Sequence, residues 1–218
     1  LFKPFTMKTN FLKLSLLALV IFTASCSSDD DKNTTPPVVV TTKVSDLPAP
    51  QTGGGQAGPA SGEFTKFSFS ENKIVTTDKW DIAFRGTVII VNGGAKYNAA
   101  DTGEPARTGS GSVSIVSGAF ASVTAFPAAS TFAQDAASAY AFPASGANAW
   151  YDYNGLTHVI SAKAGKVFVV KTHDGKYAKF EILSYYKGAP ATQKKKKTED
   201  TRFYTFNFAY QANSTTTF

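Results

Sequence analysis

Near the end of the chain every second residue is aromatic. Tyr204, Phe206, Phe208 and Tyr210 alternate with Thr205, Asn207 and Ala209. A period of two puts all four rings on one side of an extended strand, whereas a helix would scatter them around its surface. Rings lined up in this way need an opposing apolar face, so the segment predicts a β-protein with an aromatic core. Upstream, Val167–Val170 and Tyr177–Leu183 flank Asp174-Gly175, the strongest short-range hairpin signal in the chain because the pair suits a type I′ turn. With that two-residue turn Val167, Val169, Ala178, Phe180 and Ile182 share one face, the expected core face. Trp80, Ile82 and Phe84 alternate with Asp81 and Ala83. Phe64–Phe69 mixes Phe with Thr and Ser, and Thr87–Val91 is a β-branched run stopped by Asn92-Gly93-Gly94. Val38–Val44 is a candidate first strand.

Two stretches do not follow this rhythm. Pro48–Gly62 carries five glycines and three prolines and reads as loop. Ser117–Ala149 is rich in Ala and Ser, repeats Ala-Phe-Pro-Ala at 125–128 and 141–144, and has Asp135 as its only charge. Neither period holds there, so long irregular loops are expected, with one short helical turn near Phe132–Ala139. Loops of this length are commonly functional. Their aromatic rings must lie on the core or against a flat ligand. The fold expected for 38–218 is all-β: a single domain of antiparallel sheets with long irregular loops.

The front of the chain carries an address. Lys8 and Lys13 precede an apolar stretch, Leu14–Phe22, too short to span a bilayer, and Thr23-Ala24-Ser25 are the small residues a signal peptidase needs. Cys26, the only cysteine, follows at once. With Met7 as initiator, residues 7–25 read as a lipoprotein signal peptide and Cys26 as the lipidation site. The acidic run in Ser27–Lys32 opens a polar tether over 26–37. A lone cysteine leaves no disulfide to staple the fold.

Charge excludes one class of partner. Lys3, Lys8 and Lys13 lie ahead of Cys26, so 19 of the 22 basic residues remain against 16 acidic ones, and four of the 19 are the single run Lys194–Lys197. A nucleic-acid surface needs basic residues spread over several elements, so no nucleic-acid partner is expected, and the membrane is expected to be met only through the lipid. Enzymatic signals are poor. Gly109-Ser110-Gly111-Ser112 lacks the strand–turn–helix setting of a nucleophile elbow. Asp81, Asp152 and Glu181 are isolated strand acids, Asp81 being expected to partner Arg85 or loop amides. No metal-ligand cluster or phosphate loop is visible.

The segments Asp78–Gly86 (DKWDIAFRG) and Val88–Gly94 (VIIVNGG), the quartet Trp150-Tyr151-Asp152-Tyr153 and the block Thr157–Tyr186 together resemble the HmuY family of Bacteroidetes surface lipoproteins. The resemblance covers most of the chain after the tether, with the lipoprotein signal in front. It implies an all-β fold with a few long loops. For the founding member it implies haem binding, with haem taken from host carriers and passed to an outer-membrane receptor. There two loop histidines bracket the iron, and some relatives use methionines.

This chain departs from that pattern at the ligands. Val116–Ser145 holds no His or Met, and Asn154 and Gly155 stand just past the quartet, where the second ligand falls in the family. Met7 is the only methionine, and His158 and His173 are the only histidines. The haem-binding candidates are therefore His158, at the start of a strand, and Tyr153 and Tyr151, which could supply phenolate oxygen or a stacking surface. His173 completes the set, although its place before Asp174-Gly175 predicts an exposed, solvated hairpin tip. The Thr157–Ile160 strand and the Phe120–Phe142 loops are the expected walls.

The expected function is a lipid-anchored protein of the outer membrane, exposed at the cell surface. It would bind haem or another porphyrin and pass it to an uptake system with a TonB-dependent receptor. The alternative is a cell-surface lipoprotein that uses the same scaffold to bind protein or glycan without haem.

Overall fold

A computed structural model of the protein describes residues 39–192, 200–213 and 215–218. The expected signal peptide, Cys26, the tether and the run Lys194–Lys197 lie outside the described residues. Eleven strands are present: β1 (Thr41–Pro48), β2 (Thr65–Ser68), β3 (Lys73–Ile74), β4 (Ile82–Arg85), β5 (Val88–Val91), β6 (Ser112–Ser117), β7 (Tyr151–Asn154), β8 (Val159–Ala162), β9 (Lys166–Lys171), β10 (Tyr177–Tyr186) and β11 (Thr201–Gln211). They form a five-stranded sheet in the order β1-β11-β10-β9-β6, a four-stranded sheet in the order β3-β2-β4-β5, and the separate hairpin β7-β8. Every named pairing is antiparallel. The fold is all-β, as the alternation predicts. β1 starts at Thr41, past Val39 and Val40, and runs on through Pro48.

The two larger sheets face each other across an aromatic core. Tyr204, Phe206 and Phe208 of β11 are buried there, with Tyr210 packed at the edge. Phe67 meets Phe206 edge-on at 5.4 Å, and Phe84 lies 4.7 Å from Tyr204. β4 is buried on both sides: Ile82 and Phe84 face the main core, while Ala83 joins Trp80, Phe64, Val75 and Ile90 in a second cluster. Trp80 precedes the strand and lies on the face opposite Ile82 and Phe84, which corrects the simple alternation expected from 80 to 84.

The β9–β10 hairpin forms, but its register differs by one residue from the expected one. Phe168 pairs with Phe180 and Val170 with Ala178. Thr172 N–H donates to Lys176 O at 2.9 Å and Gly175 N–H to Thr172 O at 3.0 Å. The loop thus holds three residues, with Gly175 at φ +76° as its left-handed member. A one-residue slip turns every side chain over. Phe168 and Val170 therefore take the core positions, while Val167 and Val169 form a cluster on the outer face with Val123, Phe120, Phe132, Tyr177 and Phe218.

The Ser117–Ala149 segment wraps these faces. Its short turns are 3-10 helices at Phe120–Ser122 and Ala129–Thr131. The helical turn expected near Phe132–Ala139 is instead extended chain bridged at Val113↔Ala133 and Gly94↔Asp135, followed by a tight, non-helical turn closed between Ala136 and Ala139. Asp135, the segment's only charge, is its anchor. It is 2% exposed and accepts from Val91 N–H at 3.0 Å, Ala141 N–H at 2.8 Å and Arg107 Nη2 at 2.9 Å. Burial outweighs those donors and pushes its carboxyl up to about 6. Of the segment's rings only Phe142 enters the main core, 5.3 Å from Phe168; Phe126 stacks on Tyr177 at 4.1 Å on the outer face, and Tyr140 stacks on the exposed Tyr97 at 4.4 Å.

Candidate functional site

The hairpin β7-β8 is anchored at its base and free at its tip. Trp150, just ahead of β7, is 2% exposed, and its indole N–H donates to Thr87 O at 2.9 Å. Its ring lies 4.6 Å from Tyr151 and 5.1 Å from Tyr204. Tyr186 extends its hydroxyl to accept Ile160 N–H at 2.8 Å. Within the hairpin Tyr151 faces Ala162 and Tyr153 faces Ile160.

The tip is built by local polar chemistry. Asn154 Oδ1 accepts from the N–H groups of Leu156 and Thr157, both at 3.0 Å, and Asn154 O accepts His158 N–H at 2.7 Å. These bonds are the alternative that an Asn side chain offers to ladder pairing. His158 closes the loop at φ +56°, a left-handed conformation that costs an ordinary residue about 1 kcal/mol. Its Nδ1 sits 2.6 Å from the Tyr153 hydroxyl. Both side chains are exposed, Tyr153 at 56%, and Leu156 beside them is 95% exposed. The structure thus brings together two of the four expected residues. Tyr151 is half-buried at the base of the same strand.

His173 is elsewhere, and it is not a solvated tip. Its N–H donates to Asp81 Oδ1 at 2.8 Å, and its Nδ1 lies 2.7 Å from the same oxygen. Asp81 Oδ2 accepts Phe69 N–H at 2.7 Å. Asp81 is wholly buried, and desolvation raises its carboxyl above the usual range despite these bonds. Asp81 therefore partners loop amides and the imidazole, while Arg85 pairs with Asp101 at 2.7 Å. The His173 turn adjoins the Tyr177 end of β10, whereas the hairpin leans on Tyr186 at the other end. At about 3.3 Å per residue the intervening strand is about 30 Å long.

The fold also sorts the nine tyrosines, of which the sequence reading offers Tyr151 and Tyr153. Tyr185, Tyr186 and Tyr204 are buried. Burial pushes the phenols of Tyr185 and Tyr204 up and raises Tyr140 to about 12. Tyr210 is also raised by desolvation, and it donates to Asp174 at 2.7 Å. Tyr177 is covered by Phe126 and Phe132. Only Tyr97 and Tyr153 are exposed, and Tyr97 is stacked on Tyr140. Tyr153 alone combines exposure with an imidazole partner.

A haem held from both sides requires two protein ligands that converge. His158 and His173 do not converge, and no methionine occurs among the described residues. A two-histidine or two-methionine bracket does not fit this chain. The donors that the structure does bring together are one phenol and one imidazole, both of them iron-ligating types. The rings of Phe120, Phe126, Phe132 and Phe142, expected as walls, are committed to the sheet faces.

The chain was compared with known proteins. The family model described as HmuY protein matches residues 61–204. No curated protein sequence matches. Among solved structures, a protein described as HmuY-like and heme binding from Bacteroides vulgatus aligns with a TM-score of 0.44 at 13% identity, over 80% of this chain and 93% of that one. A protein described as a lipoprotein from Bacteroides fragilis aligns at 0.46 and 12% identity, over 79% and 89%. The apo form of an HmuY analogue from Tannerella forsythia aligns at 0.43 and 15% identity, over 81% and 97%. The family match takes in every strand from β2 to β10, the β7-β8 hairpin among them, and the start of β11, 144 of 218 residues, and by it the chain belongs to the HmuY family.

Proposed function

We propose that the protein is a lipoprotein, acylated at Cys26 and displayed on the outer membrane. It binds haem or a related porphyrin at the β7-β8 tip and passes it to an uptake system, with a TonB-dependent receptor as partner. One observation carries the binding step. In a chain of this family, a phenol and an imidazole stand exposed and 2.6 Å apart on a hairpin rooted in the core. Bound haem would supply the iron that such donors take. The chain's own part is to hold the donors ready, and Tyr151 offers an aromatic flank below them. His173 stays with Asp81 and has no part in the site.

Titrating the detergent-solubilised protein with hemin should give a saturable shift of the Soret band. An unshifted band under both oxidising and reducing conditions would end the haem reading. Lipid labelling should be lost in Cys26→Ser, and protease added to intact cells should remove the protein. A second reading draws on Leu156, whose 95% exposure beside Tyr153 suits contact with a protein partner. It would be supported if hemin leaves no spectrum while the immobilised protein still retains a purified receptor.

A further inference from the structure

The outer face of the five-stranded sheet carries a cleft that neither the core nor the hairpin tip accounts for. Ser112, Lys171 and Tyr177 are direct cross-strand partners on β6, β9 and β10, so their side chains stand in one row on that face. Phe132 packs on the same face and meets Tyr177 at 70°, with 5.8 Å between ring centres, which makes an aromatic corner. Beside that corner lies an open cleft of about 350 Å³, at the small end of the range of about 300–1,000 Å³ for small-molecule sites. Its walls are fixed. Ala133 and Val113 exchange backbone hydrogen bonds at 2.9 Å, and Ser114 Oγ lies 2.7 Å from Thr131 Oγ1, so Phe132 is pinned on both sides. Phe126 backs Tyr177 at 4.1 Å.

The polar groups of this cleft are idle. Ser112 is only 7% exposed, and its hydroxyl has no hydrogen-bond partner among the described residues. The oxygen is not sealed in, so it opens into the cleft. A hydroxyl withdrawn from water this far is ordinarily paired. The Lys171 ammonium also has no partner among the described residues, and no carboxylate lines the cleft. Gln134 donates one N–H to Gly111 O at 3.1 Å and leaves its Oε1 free. Ser110 adds an exposed hydroxyl at the rim.

We infer that the cleft is a binding site for a small hydroxylated carboxylate, of the size of an acidic monosaccharide. Lys171 takes the carboxylate. Ser112, Ser110 and Gln134 meet the ligand's hydroxyls, which call for partners that both donate and accept. Phe132 and Tyr177 cover the apolar C–H face of its ring. A neutral sugar leaves the lysine without a counter-charge, and a carboxylate without hydroxyls leaves the Ser112 oxygen unpaired in a site now closed to water. The inference goes beyond the haem reading and does not rest on it. The cleft lies at the Tyr177 end of β10, whereas the β7-β8 hairpin leans on Tyr186 at the other.

The test titrates the detergent-solubilised protein with glucuronate, glucose and benzoate, read by calorimetry and by ligand-observed NMR. Glucuronate should bind saturably, and both glucose and benzoate at least about tenfold more weakly, the loss expected for one charged or one buried hydrogen bond. Lys171→Gln, a change at a half-buried side chain, should bind glucuronate about tenfold more weakly and no better than glucose. Ser112→Val keeps a strand-forming residue while filling the cleft, and should abolish binding of all three. The response of both variants to hemin should equal that of wild type, which separates this site from the hairpin tip. Glucuronate affinity unchanged in Lys171→Gln and Ser112→Val would place binding elsewhere and overturn the inference. Equal affinity for glucuronate and benzoate would overturn it in favour of a simple carboxylate site, and equal affinity for glucuronate and glucose would remove Lys171 from it. No saturation by glucuronate at millimolar concentration would overturn it outright while leaving the haem reading untouched.

Discussion

At His158 backbone economy and side-chain chemistry pull in opposite directions. The φ of +56° is one that Gly or Asn would occupy with less strain, yet a histidine stands there with its ring 2.6 Å from Tyr153. His158→Gly should therefore leave stability within about 1 kcal/mol of wild type, or raise it, because relief of strain offsets the extra freedom of Gly. Urea unfolding would read this, and hemin titration of the same protein should show weakened binding. A large loss of stability would make the residue structural. The pairing could not be read from sequence, because a spacing of five residues says nothing until the loop length is known. Asn154 sets that length through its bonds to Leu156 and Thr157.

Single elements were legible to differing depths. β11 follows directly from its alternating rings, and the β9–β10 hairpin from Asp174-Gly175, but the hairpin's register does not. A Gly after Asp suits both a two-residue turn and the left-handed end of a three-residue loop. The choice falls to Asp81, which binds both the backbone and the ring of His173 and draws the loop onto the other sheet. Phe168 and Val170 are thereby turned to the core. Nothing lies within 4 Å of where a Cβ on Gly175 would be, so Gly175→Ala probes the backbone alone. It should cost about 1 kcal/mol in chemical denaturation. A neutral result would mean that the turn tolerates another conformation.

Over the whole molecule, the long loops are held by buried charge as much as by apolar contact. Glu104 and Asp135 share Arg107, at 2.6 and 2.9 Å, with all three groups out of water. Removal from water is what raises the cost of ionising Asp135, and the Arg107 guanidinium and the two backbone donors offset it only in part. Its proton is held to about pH 6 in the fold, against about 3.9 in an unfolded chain. Between those values the folded state binds more protons, so this group's contribution to stability is complete below about pH 4 and is lost as pH rises through about 6, by about 2–3 kcal/mol. Asp135→Asn should be less stable than wild type below about pH 4, with the deficit narrowing through about pH 6 and a visibly smaller slope over that window when urea midpoints are compared at intervals of pH. An unchanged slope would place the titration on another group.

What the amino-acid order determined by itself is local. Period two made strands, Gly and Pro made loops, and an apolar stretch ending in Cys26 marks an expected export address, because each is a property of neighbouring residues. The tertiary structure decided what depends on distant groups meeting. Burial of Asp81 set the register of a hairpin 92 residues away, and Asp135 tied down a segment with no period of its own. The sandwich then placed the two histidines at opposite ends of one strand. Desolvation and hydrogen bonding act through space, so only the folded chain could separate Tyr153 from Tyr151, the two tyrosines the sequence offers, and pair it with His158.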